Sequence, residues 1–361
     1  MRKTAVRAAV IALVVAAAAA AGLWWLLGRD DPDRDCAGLR GDARIRTVLG
    51  GTWRADLPCR DLADGLRRAA TGDRLGDHPD DHPGDRPGVH TVEQARAMRT
   101  VVLALADSPE HRVHPEVRRP LAQALADYAV DTHAVLTGVD NRYQSHAGPN
   151  DDAWQDDRGA HFAVPEADLV RALRGLAEDP TAYGLLRAAD LRQGAAALAA
   201  VRPDATDATN AANAAENAIL DPLVQAAAPA GAFDGIADDV LRERGDAAGR
   251  SWRTEALTAL STSAGPQAAK AAKPEPVPDF AADPAGHLTA GWLATLTPAD
   301  PDGASGWARL HDQAPALLAA WAEAAHADLT PQALRDCQDR ARTTTAREQG
   351  DTATALKALK G

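Results

Sequence analysis

Residues 164–200 read VPEADLVRALRGLAEDPTAYGLLRAADLRQGAAALAA, and this stretch decides the fold class. Leu169, Val170, Leu173 and Leu176 recur at helical spacing after Val164-Pro165-Glu166. Asp179-Pro180 stops that helix and opens the next. Asp179 serves as N-cap and Pro180 takes the first helical position, where its missing N–H costs nothing. The second helix presents Tyr183, Leu186, Leu191 and Leu198 and ends before Arg202-Pro203.

The same periodicity extends in both directions. Leu121, Leu125 and Tyr128 share one face, with Pro120 expected in the first turn. Ile219, Leu220, Leu223 and Val224 form a further run, followed by Phe233, Ile236, Val240 and Leu241, and then by Trp252, Leu257 and Leu260. No two neighbouring segments alternate as strands, and the best strand candidate, Arg44 to Leu49, has no partner. The expected fold is therefore all-α. Composition shifts at residues 265–284, where Ala-Ala-Lys-Pro-Glu-Pro-Val-Pro reads as an extended linker or a long loop. This divides the chain beyond the membrane segment into a main helical domain (36–264), a C-terminal helical unit (285–342) and a polar tail (343–361) expected to fray.

Of the 361 residues 84 are alanine, while aromatic residues make up 4%, so helix is favoured but each residue buries little apolar surface. Six tryptophans, Trp53, Trp154, Trp252, Trp292, Trp307 and Trp321, are expected to anchor such a core. The formal net charge is −12, and residues 1–29 hold four basic and no acidic side chains, so the remainder is more acidic still. That balance gives no electrostatic footprint for nucleic acid.

Ala8 to Gly28 carries no charge and is bounded by Arg7 and Arg29. At about 1.5 Å per residue this run matches the thickness of a bilayer core, and Trp24 and Trp25 lie near its outer end. Arg2, Lys3 and Arg7 place residues 1–7 in the cytoplasm, leaving the bulk of the chain extracytoplasmic. The alternative is a signal peptide cleaved after Ala21, which would leave the apolar start Gly22-Leu23-Trp24-Trp25. The expectation taken is an uncleaved transmembrane helix at 8–28, contacting the lipid bilayer. The spacings Ala16-x-x-x-Ala20 and Ala18-x-x-x-Gly22 are compatible with a homodimer through that helix.

Three cysteines lie beyond the span, where disulfides are permitted. A local Cys36–Cys59 pair is preferred, with Cys59–Cys337 as the alternative. In the preferred pairing Cys337 is the spare thiol. His78, His82 and His90, among several aspartates, offer ligand types for a zinc-like ion, against a solvated acidic loop, which is favoured. A second polar stretch, Gly138 to His161, mixes aromatics with carboxylates between two strong helices. Asp140, Asn141, Tyr143, His146, Trp154 and His161 are its candidate binding residues. Loops this long inside compact domains are often functional or disordered.

G-x-S-x-G, H-E-x-x-H, Walker and G-x-G-x-x-G patterns are all missing, so no catalytic residue and no cofactor is implied. The run Asp168-Leu169-x-Arg171-x-Leu173-Arg174, followed by Asp179-Pro180-x-Ala182-Tyr183 behind a polar loop, resembles a helical segment of large uncharacterised actinobacterial proteins associated with polymorphic toxins and secretion. The resemblance covers about residues 140–240. It implies an all-helical fold and a cell-envelope or inter-bacterial context, and supplies no catalytic residue. The function expected is a membrane-anchored helical ectodomain that binds an envelope or secreted protein. A cell-wall enzyme and a toxin-related or immunity-like factor are the alternatives.

Overall fold

The structure, a computed structural model, describes residues 32–72, 90–108, 112–201, 212–262, 277–296, 304–327 and 329–358. The expected span at 8–28 lies outside them, as do His78 and His82. Among the described residues, no helix is long and apolar enough to cross a membrane.

These residues fold almost entirely as helix, in the order α1 Pro32–Gly41, α2 Ala43–Leu49, α3 Cys59–Thr71, α4 Val92–Ala106, α5 Pro115–Asp127, α6 Ala129–Thr137 and α7 Asn141–Ser145. A two-stranded hairpin, β1 Trp154–Asp156 and β2 Gly159–His161, precedes α8 Glu166–Leu176 and α9 Pro180–Ala199. Then come α10 Ala212–Thr262, α11 Pro284–Thr295, α12 Ala304–Leu310, α13 Gln313–Ala324 and α14 Pro331–Ala358. The hairpin is antiparallel, with Trp154 opposite His161 and Asp156 opposite Gly159.

Local chemistry sets many of these boundaries. Asp179 caps α9 by accepting from Thr181 N and Ala182 N, with Pro180 in the first turn. Thr91 and Gln94 form a reciprocal capping box at α4. Pro120 departs from its expected first-turn place. His114 caps α5 and Pro115 supplies the first-turn proline, so Pro120 falls inside the helix. Arg44 to Leu49 is helix α2 rather than a strand, because Asp42 caps Arg44 N and Gly50, at φ 52°, ends the segment after two turns. The runs around Leu223, Phe233 and Trp252 belong to one long element, α10, broken at Gly245, whose φ of 69° suits glycine.

The core is continuous from Cys36 to Leu356, so the expected division into a main domain and a separate C-terminal unit does not correspond to two cores. Trp292, Trp307, Leu317 and Trp321 of the C-terminal helices pack into the same apolar interior as Leu186 and Trp252. Tyr183 meets Trp252 at 5.0 Å between ring centroids, and Trp252 meets Trp307 at 5.6 Å. Trp252, Trp292, Trp307 and Trp321 are buried, whereas Trp53 and Trp154 are only partly so.

The expected fraying does not hold over residues 343–358. Residues 343–358 continue α14, which lies along α10 and buries Thr345, Thr352 and Leu356. Two glycines of α10 permit this close approach. A Cβ at Gly231 would collide with Thr345 O, and one at Gly235 would lie 2.8 Å from Gln349 O. Thr345 Oγ1 donates to Ala227 O at 3.2 Å and Gln349 Nε2 donates to Asp238 Oδ2 at 2.7 Å, so polar side chains fasten the two helices. A polar composition misleads here because this contact is made by backbone proximity and hydrogen bonds rather than by large apolar groups.

Candidate functional site

The polar stretch Gly138 to His161 is an organised segment built on a buried carboxylate. Asp131 stands in the first turn of α6 and is 3% exposed. Tyr143 Oη donates to its Oδ1 at 2.6 Å, His161 Nδ1 approaches the same oxygen at 2.7 Å, and Phe162 N donates to Oδ2 at 3.4 Å. The opposite edge of the imidazole, Nε2, lies 3.0 Å from Asp156 Oδ1. His161 therefore bridges two carboxylates.

Each partner is delivered by a short element. Asp140 caps α7 by accepting from Arg142 N, which fixes Tyr143 inward while Asn141 and Arg142 stay exposed. Arg142 also pairs with Asp156 at 3.0 Å, tying α7 to β1. The hairpin turn brings Asp156 back toward His161, helped by Arg158 N donating to Asp156 Oδ1 at 2.8 Å. Trp154 faces its cross-strand neighbour His161 at 5.5 Å between centroids, stacks on His146 at 4.4 Å and meets Tyr143 edge-on at 5.0 Å. From α4, Arg99 donates to Gly148 O and Ala163 O, and Arg96 pairs with Asp152 at 2.7 Å.

The electrostatics follow from this enclosure. The flanking carboxylates, Asp131 first, raise the His161 pKa above its ordinary value despite some desolvation. Burial pushes the Asp131 carboxyl up, while its His161 and Tyr143 partners pull it down. Asp156 is held low, chiefly by the Arg158 N–H. Burial beside Asp131 drives the Tyr143 phenol far above its usual range, so it remains a donor.

Of the candidate binding residues, the structure brings Tyr143, His146, Trp154 and His161 into one cluster, with Asp140 bracing it through Arg142 and Asn141 exposed at its edge. Asp131 was not among the candidates. Its signal in the sequence is a lone acid in the apolar run Ala129-Val130-Asp131-Thr132-His133-Ala134-Val135. His90 is buried, stacked on Tyr128 at 3.8 Å between centroids and 3.4 Å from Asp127 Oδ2. The other two histidines of the zinc-like candidate, His78 and His82, lie outside the described residues. Cys36 and Cys59 form a disulfide with Cα atoms 5.7 Å apart, and Cys337 is a buried free thiol. Among the described residues, the side chains grouped tightly enough to hold one metal ion are Cys59, His114 and Glu116.

Further polar clusters among the described residues lie in or border the interior. Arg187 donates to Asp234 Oδ1 at 2.8 Å, to Ala230 O and to Gln313 Oε1, while His311 Nδ1 closes on Asp234 Oδ2 at 2.8 Å. Arg174 meets Asp239, Glu178 and Glu243, joining α8 to α10. Both clusters tie elements far apart in sequence and are absorbed by the packing. No family model, curated protein or solved structure matches the chain.

Proposed function

We propose that this chain is a single-pass, membrane-anchored helical ectodomain whose 138–161 segment binds another envelope or secreted protein. The carrying observation is the preorganised cluster at that segment. The partly exposed Trp154 and His146 form a stacked plate, held in place by His161 between Asp131 and Asp156. A rigid aromatic plate rimmed by Asp140, Asn141 and Arg142 offers apolar contact area and directional polar groups at small entropic cost, as protein-recognition surfaces require. The partner that fits presents an apolar or aromatic side chain to the plate and a mixed-charge rim to Arg142 and Asp140. The anchor rests on the uncharged run Ala8 to Gly28, and the envelope context on the residues 140–240 resemblance.

The test is site-specific photocrosslinking in intact cells from position 142 or 144, with and without Trp154→Ala. The expected result is a discrete adduct that disappears in the Trp154→Ala chain while a control crosslink from α14 is unchanged. Adducts indifferent to Trp154→Ala overturn the binding surface. A chain found in the soluble fraction that begins after residue 21 overturns the anchor.

A further inference from the structure

We propose that Cys36, Cys59, His114 and Glu116 form a binding site for a thiophilic divalent cation of the Zn2+ type, with the disulfide and the metal as alternative occupants. Cys59 opens α3, His114 caps α5, and Glu116 lies in the first turn of α5. One ligand atom from each of these three side chains lies within 4.8 Å of the others. Cys36, on α1, stands outside that tight group; its sulfur, bonded to that of Cys59, is freed as a fourth donor when the disulfide opens. Two thiolates, an imidazole and a carboxylate are the donor types of a four-coordinate zinc site.

The surroundings suit this chemistry. Cys36, Cys59 and His114 are buried, whereas Glu116 is exposed, so the site has a packed inner wall and one side open for entry. Leu62 and Leu66 of α3 and Val117 and Leu121 of α5 lie in the core and hold the two helix starts in place. Both starts present the positive end of a helix, which favours thiolate over thiol. A dication bound by two thiolates and one carboxylate leaves one net negative charge, which those helix ends complement.

The metal ligand is the thiolate, so occupancy requires the disulfide to open. A dithiol donor supplies the step. Its thiolate attacks one sulfur, the Cys36–Cys59 bond breaks, and its second thiol resolves the mixed disulfide. Two electrons and two protons pass to the cysteines and the donor leaves as its own disulfide. The cation then displaces the two thiol protons to solvent. His114 Nδ1 now accepts the Glu116 N–H at 3.3 Å. Coordination through Nδ1 takes over that lone pair, and coordination through Nε2 leaves Nδ1 protonated. Either way the α5 cap is released, so the Glu116 amide exchanges faster in the metal-bound chain.

The experiment titrates the full chain with Zn2+ alone against a chromophoric chelator, without oxygen. One sample keeps its disulfide, and the other has been reduced by a phosphine, which leaves as the phosphine oxide. Expected are a single tight equivalent for the reduced chain and none for the oxidised one, with Cys337→Ser unchanged. His114→Gln and Glu116→Gln each weaken binding by more than the roughly 10–100-fold that loss of a supporting hydrogen bond costs a metal site. Co2+ in the unmodified reduced chain gives thiolate charge-transfer absorption, a readout independent of any variant's folding. A reduced chain that takes up no Zn2+, affinity indifferent to both substitutions, or binding abolished by Cys337→Ser overturns the proposal.

Discussion

Replacing Asp131 by alanine is the most direct test of how the 138–161 segment is held. The carboxylate accepts from Tyr143 Oη, His161 Nδ1 and Phe162 N, and all three donors belong to buried residues. Alanine leaves them without an acceptor and strands the His161 charge against Asp156 alone. An unsatisfied buried donor costs about 1–3 kcal/mol, and breaking a buried charged pair from one side costs about 3–5 kcal/mol. Tyr143 and His161 can re-pair with each other across their present 3.1 Å, so a loss of about 3–4 kcal/mol is expected rather than the full sum. That is a large fraction of a domain's stability, typically about 5–15 kcal/mol. Urea unfolding followed by far-ultraviolet circular dichroism measures the global cost. Amide exchange at 140–162 shows whether the segment opens first. Arg96→Ala is the control, because its pair with Asp152 is half exposed and such pairs contribute roughly 1 kcal/mol or less. If Asp131→Ala costs no more than Arg96→Ala, the buried carboxylate does not organise the segment and the reasoning fails.

The upward shift of His161 fixes a sign of pH dependence. Its stabilising contribution is complete below the ordinary histidine value of 6.5 and is lost as pH rises through the raised folded value. Asp131, raised by burial, acts in the same direction, whereas Asp156, held low, loses its contribution only as pH falls through its depressed folded value. An NMR titration is expected to place the His161 midpoint above 6.5 and to lower it in Asp131→Asn; a midpoint at or below 6.5 contradicts the geometry. In the interior, Asp234→Ala strands the fully buried Arg187 and is expected to cost about 3–5 kcal/mol, measured by urea unfolding. Combined with Arg187→Met it should cost clearly less than the two single changes together, and strict additivity would show that the pair is not coupled. Gly235→Ala places a Cβ 2.8 Å from Gln349 O and Thr352 Cβ, so a loss of about 1–3 kcal/mol is expected, and an unaffected midpoint would mean that α10 and α14 are not in close contact.

How far each feature could be read from the chain follows the range of the interaction behind it. Asp179 and Pro180 mark a helix start because the capping bonds reach two and three residues along the chain. The same short range explains the error at Arg44 to Leu49. The Asp42 cap, two residues before Arg44, turns this strand candidate into helix. The aromatic and acidic residues of 138–161 stood out by composition, and four of the six candidates do converge. Their organiser, Asp131, lies 30 residues from His161, a separation that no periodicity reports. The hairpin is not legible in the sequence because strands of three residues give too little alternation to recognise.

Alone, the sequence determined the helical class, the capped boundaries around residues 164–200, the uncharged run at 8–28 and the composition of the polar segment. Each of these depends on residues within a turn or two of one another, or on a simple count. Only the tertiary structure decided that the C-terminal residues join the main core, that two glycines of α10 admit α14, and that Asp131 gathers Tyr143 and His161. Those outcomes depend on steric fit and on satisfying buried polar groups between segments brought together from distant parts of the chain. In a chain with so much alanine, close backbone approach takes the place of large apolar contacts, and a linear pattern of side chains does not record it.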